Sequence, residues 1–200
     1  MIRAFLFDYD GVISAGSDDY STAKNLAKNL GISTEKAAEL IVGIWEEFST
    51  GKLTEEETWQ KMEAHYGKPI PPEKRNIWYT WEEIKPLPQM LELVRSLKSK
   101  GYRVGLLSNV IPPTAALIRQ NGGYNEFDFV VLSCEVGARK PTPEIFESAW
   151  KHLEGITPEE VMYLDDREHL TTAARELGIN SLYVTNHADA IKYVEQLIGR

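Results

Sequence analysis

The chain has 200 residues, 42% of them hydrophobic, with a formal net charge of −8, which is enough apolar content to bury a full-sized core and suits one domain plus an insertion. No apolar run approaches the roughly 18 residues of a membrane span, and the start Met1-Ile2-Arg3-Ala4-Phe5 lacks a signal-peptide profile, so a cytoplasmic protein with no membrane partner is expected. The acidic balance disfavours nucleic acid, an anionic substrate needs local cations, and the single cysteine, Cys134, excludes an internal disulfide or a cysteine metal knuckle.

Phe5-Leu6-Phe7 reads as a buried strand that delivers Asp8 and Asp10 at its end, followed by Gly11. Open α/β sheets place ligands at that end of a strand, and two carboxylates so close raise each other's pKa unless a cation lies between them. The pair asks for a metal. From Asp18 to about Ile84 the signals are helical: Ala37, Leu40, Ile41, Ile44, Trp45 and Phe48 form an amphipathic stripe that Gly51 stops. Thr54 and Glu57 make a capping-box pair ahead of a helix carrying Trp59, Met62 and Tyr66, ended by Gly67 and Pro69.

From Pro86 the chain alternates. A helix with Leu91, Val94 and Leu97 precedes a strand over 103–107. A helix near 115–120 and a strand over 129–132 follow, then helix 143–151 with strand 161–164, helix 170–177 with strand 181–184, and a closing helix over 187–198. Such alternation with short connections predicts a parallel sheet covered on both faces. Glycine and proline punctuate the chain at Ser14-Ala15-Gly16-Ser17 and at Ile84-Lys85-Pro86-Leu87-Pro88. The fold class is therefore α/β, a three-layer Rossmann-like core of residues 1–15 and 86–200, with a helical cap of residues 16–85 inserted after the first strand. Cys134, after Val130-Val131-Leu132-Ser133, reads as a strand-end packing residue.

Three more constellations fall at predicted strand ends. Ser108-Asn109 offers a hydroxyl and an amide to an oxyanion, although the pair taken alone reads more readily as a turn. Lys140, held between Gly137-Ala138-Arg139 and Pro141-Thr142-Pro143, is a cation aimed by a stiff backbone at the entrance to a helix. Val161-Met162-Tyr163-Leu164 ends in Asp165-Asp166, repeating the pattern of the first strand. Four acids at the ends of two buried strands are more than helix caps explain.

In this order and spacing, the four motifs resemble those of the haloacid dehalogenase superfamily, and within it the magnesium-dependent phosphatases with a small helical cap. The resemblance covers nearly the whole chain. It implies that Asp8 is the nucleophile that forms an aspartyl-phosphate. It further implies that Asp10 is the general acid and then base, with its backbone carbonyl on the metal, and that Lys140 offsets the charge of nucleophile and phosphate. Ser108 and the backbone at Asn109 would hold phosphoryl oxygens, and Gly11 would allow the sharp exit toward the cap. Asp8, Asp10 and Asp166 would bind Mg2+, with Mn2+ or another divalent ion as alternatives, and Asp165 would act from behind them or through water.

One position departs from the pattern: many relatives carry Asp or Asn four residues after the metal-binding acid, where this chain has Leu170. Weaker magnesium binding follows as a hypothesis, with Glu168 and His169 expected on a solvated turn. The expected activity is hydrolysis of a small phosphate monoester. The alternatives are a phosphomutase of the superfamily, a hydrolytic dehalogenase, which usually lacks the acid at Asp10, and a non-catalytic phosphate-binding or regulatory protein. The partner is a small phosphorylated metabolite, selected by the cap, whose Trp78-Tyr79-Thr80-Trp81 cluster is the first candidate for a substrate-facing or cap-to-core surface; the sequence does not fix the oligomeric state.

Overall fold

A computed structural model describes residues 1–16 and 21–199. Ser17 and Asp18, where the first predicted boundary ends and the helical reading begins, lie outside the described residues. In chain order the elements are β1 (Ala4–Phe7), α1 (Ser21–Leu30), α2 (Thr34–Ser49), α3 (Glu55–Tyr66), α4 (Trp81–Ile84), α5 (Pro88–Ser99), β2 (Arg103–Ser108), α6 (Pro112–Gln120) and β3 (Phe129–Leu132). They continue with α7 (Ser133–Val136), α8 (Pro143–Trp150), β4 (Val161–Asp165), α9 (Glu168–Glu176), β5 (Asn180–Tyr183) and α10 (His187–Ile198). Short 3-10 turns at Pro72–Lys74 and Pro158–Glu160 complete the order.

The five strands form one parallel sheet in the order β3-β2-β1-β4-β5. β1 is central and buried on both faces, which is why it reads as a continuous apolar run. Its side chains alternate: Phe5 and Phe7 enter a core with Leu93 of α5, Ile118 of α6 and Val194 of α10, whereas Ala4 and Leu6 enter another with Phe146 of α8 and Ala174 of α9. The chain winds outward through β2 and β3 and then returns to the other side of β1, so the border of β1 and β4 is the switch point of the sheet. Both acidic pairs leave the sheet there.

The helices between β1 and α5 enclose a core of their own, in which Leu26, Leu40, Ile44, Trp59 and Met62 are buried. The chain leaves and re-enters the sheet unit at one place: Ser14 pairs with Pro86 in an antiparallel bridge, and the Leu87 N–H donates to the Ile13 carbonyl at 2.8 Å. A second tie joins the end of α2 to the sheet unit. The Ser133 hydroxyl donates to the Ser49 carbonyl at 2.6 Å and accepts the Val110 N–H at 2.9 Å. Gly51, predicted only as a helix stop, also makes that approach possible: with φ +68, a Cβ there would lie 2.1 Å from the Cys134 carbonyl oxygen.

Most predicted elements appear within a residue or two of their expected ends. α6 begins earlier, at Pro112, because proline suits the first helical turn, and β2 extends to Ser108, which pairs with Leu132 of β3 as the last residue of the strand. Cys134 packs against the sheet core as expected, but from the turn of helix that follows β3 rather than from the strand end. It sits half-buried within the short helix α7, and burial pushes its thiol up to about 11. Among the described residues, no helix is long and apolar enough to cross a membrane.

Candidate active site

Asp8 is the first residue past β1, and its N–H donates to the Leu164 carbonyl of β4 at 2.9 Å, fixing the backbone across the switch point. Its Oδ1 accepts from the Tyr9 N–H at 2.7 Å and lies 2.9 Å from Lys140 Nζ. Lys140, only 2% exposed, also contacts Asp165 Oδ2 at 2.7 Å. A buried ammonium is tolerable because two carboxylates receive it.

Asn109 explains how Lys140 comes to be there. Its amide clamps the lysine backbone on both sides, Nδ2 donating to the Lys140 carbonyl at 2.9 Å and Oδ1 accepting the Lys140 N–H at 2.8 Å. The side chain of Asn109 therefore sets the loop between α7 and α8, a task its sequence context does not reveal. Ser108 is buried at the end of β2 on the same cleft.

Asp165 is fully buried and fully engaged. Oδ2 receives Lys140 and the Tyr163 hydroxyl, and Oδ1 receives the Arg167 N–H at 2.8 Å. Tyr163 is absent from the predicted set, and its signal is its place two residues before Asp165, on the same side of the strand. Lys140 Nζ also stands 5.5 Å from the centroid of its ring.

Asp166 is the opposite case: its Oδ1 is sealed from solvent with no hydrogen-bond partner. One oxygen each of Asp8, Asp165 and Asp166 lies within 4.8 Å of the others. Three hard carboxylate donors with an orphaned buried oxygen fit a divalent cation such as magnesium. Asp10 lies outside this three-acid cluster; it lines the cleft, and its Oδ1 accepts from the Ser14 hydroxyl at 2.8 Å. Gly11, at φ +76, makes room for Asp166, since a Cβ there would lie 2.1 Å from Asp166 Oδ2. Gly11→Ala is expected to displace that carboxylate and weaken magnesium binding by about tenfold or more, read as loss of the magnesium-dependent rise in Tm.

The electrostatics favour a cation as well. Burial pushes the Asp8 carboxyl up to about 7, with Lys140 opposing and Asp165 and Asp166 adding to the rise. Burial and then Asp165 push Asp166 up to about 6 against Arg167. For Lys140, burial favours the neutral amine, but Asp8 and Asp165 outweigh it and hold the pKa above the usual lysine value.

A cleft of about 560 Å³ opens over these groups toward α2, lined by Asp8, Asp10, Ser108 and Lys140 at one end and by Ile41, Trp45 and Tyr79 at the other. Leu170 is buried on its wall, whereas Glu168 and His169 are exposed on the first turn of α9. The Trp78-Tyr79-Thr80-Trp81 cluster divides. Tyr79 faces the cleft, Trp78 packs its ring at a tilt against Phe48 and Trp59, and Trp81 packs against the sheet core.

A family model described as haloacid dehalogenase-like hydrolase matches residues 2–178. The chain belongs to this family. Among relatives of this haloacid dehalogenase-like hydrolase, the sesquiterpene phosphatase astK of Aspergillus oryzae is 25% identical over 98% of this chain and 97% of its own length. A glyceraldehyde 3-phosphate phosphatase of Methanothermobacter thermautotrophicus is 32% identical over 80% of this chain and 74% of its own. Some further relatives are larger proteins, of which the chain spans about a fifth. Among solved structures, the haloacid dehalogenase family enzyme bt-2542 of Bacteroides thetaiotaomicron, in complex with magnesium and inorganic phosphate, superposes with a TM-score of 0.74. It is 26% identical and covers 91% of this chain and 93% of its own.

Proposed function

We propose that the protein is a magnesium-dependent phosphohydrolase that cleaves small phosphate monoesters through an aspartyl-phosphate on Asp8, with residues 16–85 acting as a cap over the site. The observation that carries this reading is the pairing of Asp8, whose Oδ1 is pinned by Lys140 and the Tyr9 N–H, with the partnerless buried oxygen of Asp166 beside it. Its matches to named phosphatases and to a magnesium and phosphate complex support the same reading.

In the first half-reaction, the carboxylate of Asp8 forms a bond to phosphorus. The bond from phosphorus to the ester oxygen breaks, and that oxygen leaves with the electron pair and takes a proton from the Asp10 carboxyl. In the second, Asp10 accepts a proton from water as the water oxygen bonds to phosphorus, and the bond from phosphorus to Asp8 breaks to restore the carboxylate and release inorganic phosphate. Ser108 and the backbone at Asn109 hold phosphoryl oxygens, and Lys140 offsets the accumulated negative charge. Asp8 and Asp166, with the Asp10 carbonyl and with Asp165 behind them, would hold magnesium, which supplies charge neutralisation for nucleophile and phosphoryl group. The Ser14 hydroxyl keeps the Asp10 carboxyl oriented in the cleft.

A phosphate-release screen over sugar phosphates, nucleotides, phosphoglycolate and an aryl phosphate tests the assignment. Magnesium-dependent release from at least one ester is expected, and inactivity on all would shift the reading to a binding or regulatory protein. The acid cluster also sets a pH signature of the metal-free protein. Carboxyls whose folded pKa is raised lend stability that is fully present below their ordinary value near 3.8 and is lost as pH rises through about 6 and about 7. Metal-free protein should therefore lose Tm between pH 5 and pH 8, at about 2 to 4 °C per kcal/mol lost. Added magnesium should restore more of it at pH 8 than at pH 5, because the cation binds the ionised carboxylates; differential scanning fluorimetry with and without magnesium reads both.

A further inference from the structure

The two ends of the cleft differ in chemistry. The end at the sheet is ionic, whereas the wall that α2 contributes is Ala38, Ile41, Val42 and Trp45, with Glu46 beside them. Val42 is 75% exposed although the other large aliphatic residues of α2 are buried in the helical core. Between residues 21 and 85, the described side chains lining the cleft include one charged group, Glu46, and it is negative.

We infer that the leaving group is an apolar, uncharged alcohol of medium chain length, so that the substrate is an amphiphile with its phosphate at Asp8 and its hydrocarbon against α2. This rests on the phosphohydrolase reading and narrows it. Arg139 and Arg167 also line the cleft, next in sequence to Lys140 and Asp166 at its ionic end; a second phosphate or a carboxylate carried beyond them toward α2 would face Glu46 and an aliphatic wall, leaving a desolvated charge there without a cation. A polyol would exchange its bonds to water for contact with Ile41 and Val42. A hydrocarbon gains by covering them, and the volume of the cleft lies within the range of small-molecule sites.

The experiment is a series of kcat/KM values for ethyl, butyl, hexyl and octyl phosphate below their micellar concentrations, beside glycerol 3-phosphate, phosphoglycolate and p-nitrophenyl phosphate. The series should rise by about three- to fourfold per methylene until the chain fills the cleft, with both polar esters below butyl phosphate. Val42→Lys, at an exposed position the fold tolerates, should flatten the slope and raise phosphoglycolate relative to octyl phosphate. A flat wild-type series, or phosphoglycolate or glycerol 3-phosphate matching octyl phosphate, overturns the inference while leaving a working phosphatase. Release from no ester, the aryl phosphate included, overturns the phosphatase reading and this one with it. If Val42→Lys changes the oligomeric state in size-exclusion chromatography and leaves the slope intact, the apolar face belongs to a second copy of the chain and the inference fails.

Discussion

Asp8→Asn is expected to lower phosphate release by a factor on the order of 10⁵ or more, the scale on which loss of a nucleophile acts, while leaving the fold in place. The amide keeps the size of the carboxylate and an oxygen to accept the Tyr9 N–H, and Lys140 retains Asp165 as its partner at 2.7 Å. It also removes a charge that burial disfavours, so Tm should change by only a few degrees. On the proposed mechanism, what disappears is the carboxylate nucleophile and with it the acid-stable, hydroxylamine-sensitive phosphoryl label expected on the wild-type protein. Release that survives the substitution would remove Asp8 from the role. Asp10→Asn separates the two half-reactions: an aryl leaving group needs little protonation and an alkyl one needs much. The loss, about 10²- to 10⁴-fold for general acid–base work, should therefore be larger for alkyl esters, and labelled enzyme should accumulate with the aryl ester.

The parts of this site that were legible in the sequence are those carried by local pattern. The run Phe5-Leu6-Phe7 reads as a buried strand with Asp8 at its end, and the structure has β1 buried on both faces with Asp8 next after it. The prolines around Lys140 set it apart from a surface lysine, and it is buried. The illegible parts depend on contacts distant in sequence. Asn109 clamps a backbone 31 residues away, and Ser133 reaches Ser49 across 84; serine and asparagine at strand ends look the same whether they bind a phosphate, a loop or water. Trp78 and Tyr79 are neighbours, yet one fills the helical core and the other faces the cleft. Periodicity locates a helix face, but the turn before α4 has no period to read. Tyr163 carries no signal of its own because an aromatic in a core strand is ordinary, and only the positions of Asp165 and Lys140 give its hydroxyl and ring a purpose.

Lys140→Met carries the second large expectation, and it acts on stability and catalysis through the same two carboxylates. The ammonium lies 2.9 Å from Asp8 and 2.7 Å from Asp165, all three nearly or fully buried. Removing one partner of such a set leaves uncompensated charge, which typically costs about 3 to 5 kcal/mol. The protein can avoid part of that cost by taking up a proton. Without the lysine, the Asp8 carboxyl rises further above its value of about 7, so in the metal-free variant that carboxyl is protonated at neutral pH. Two signatures follow. Metal-free Lys140→Met should regain Tm as pH falls from 8 to 5, because a carboxyl with a raised folded pKa lends stability below that pKa and loses it above. The acid limb of its rate profile, measured with saturating magnesium, should lie at higher pH than in the wild type, so that the rate deficit shrinks toward pH 9. A residue that merely filled space would shift neither limb. Lys140→Arg should not rescue, since a planar fork is larger and stiffer than the point charge that fits between two carboxylates and the Tyr163 ring. Asp165→Asn combined with Lys140→Met should be less destabilising than the sum of the two changes, because the second removes a charge that the first has already left unpaired.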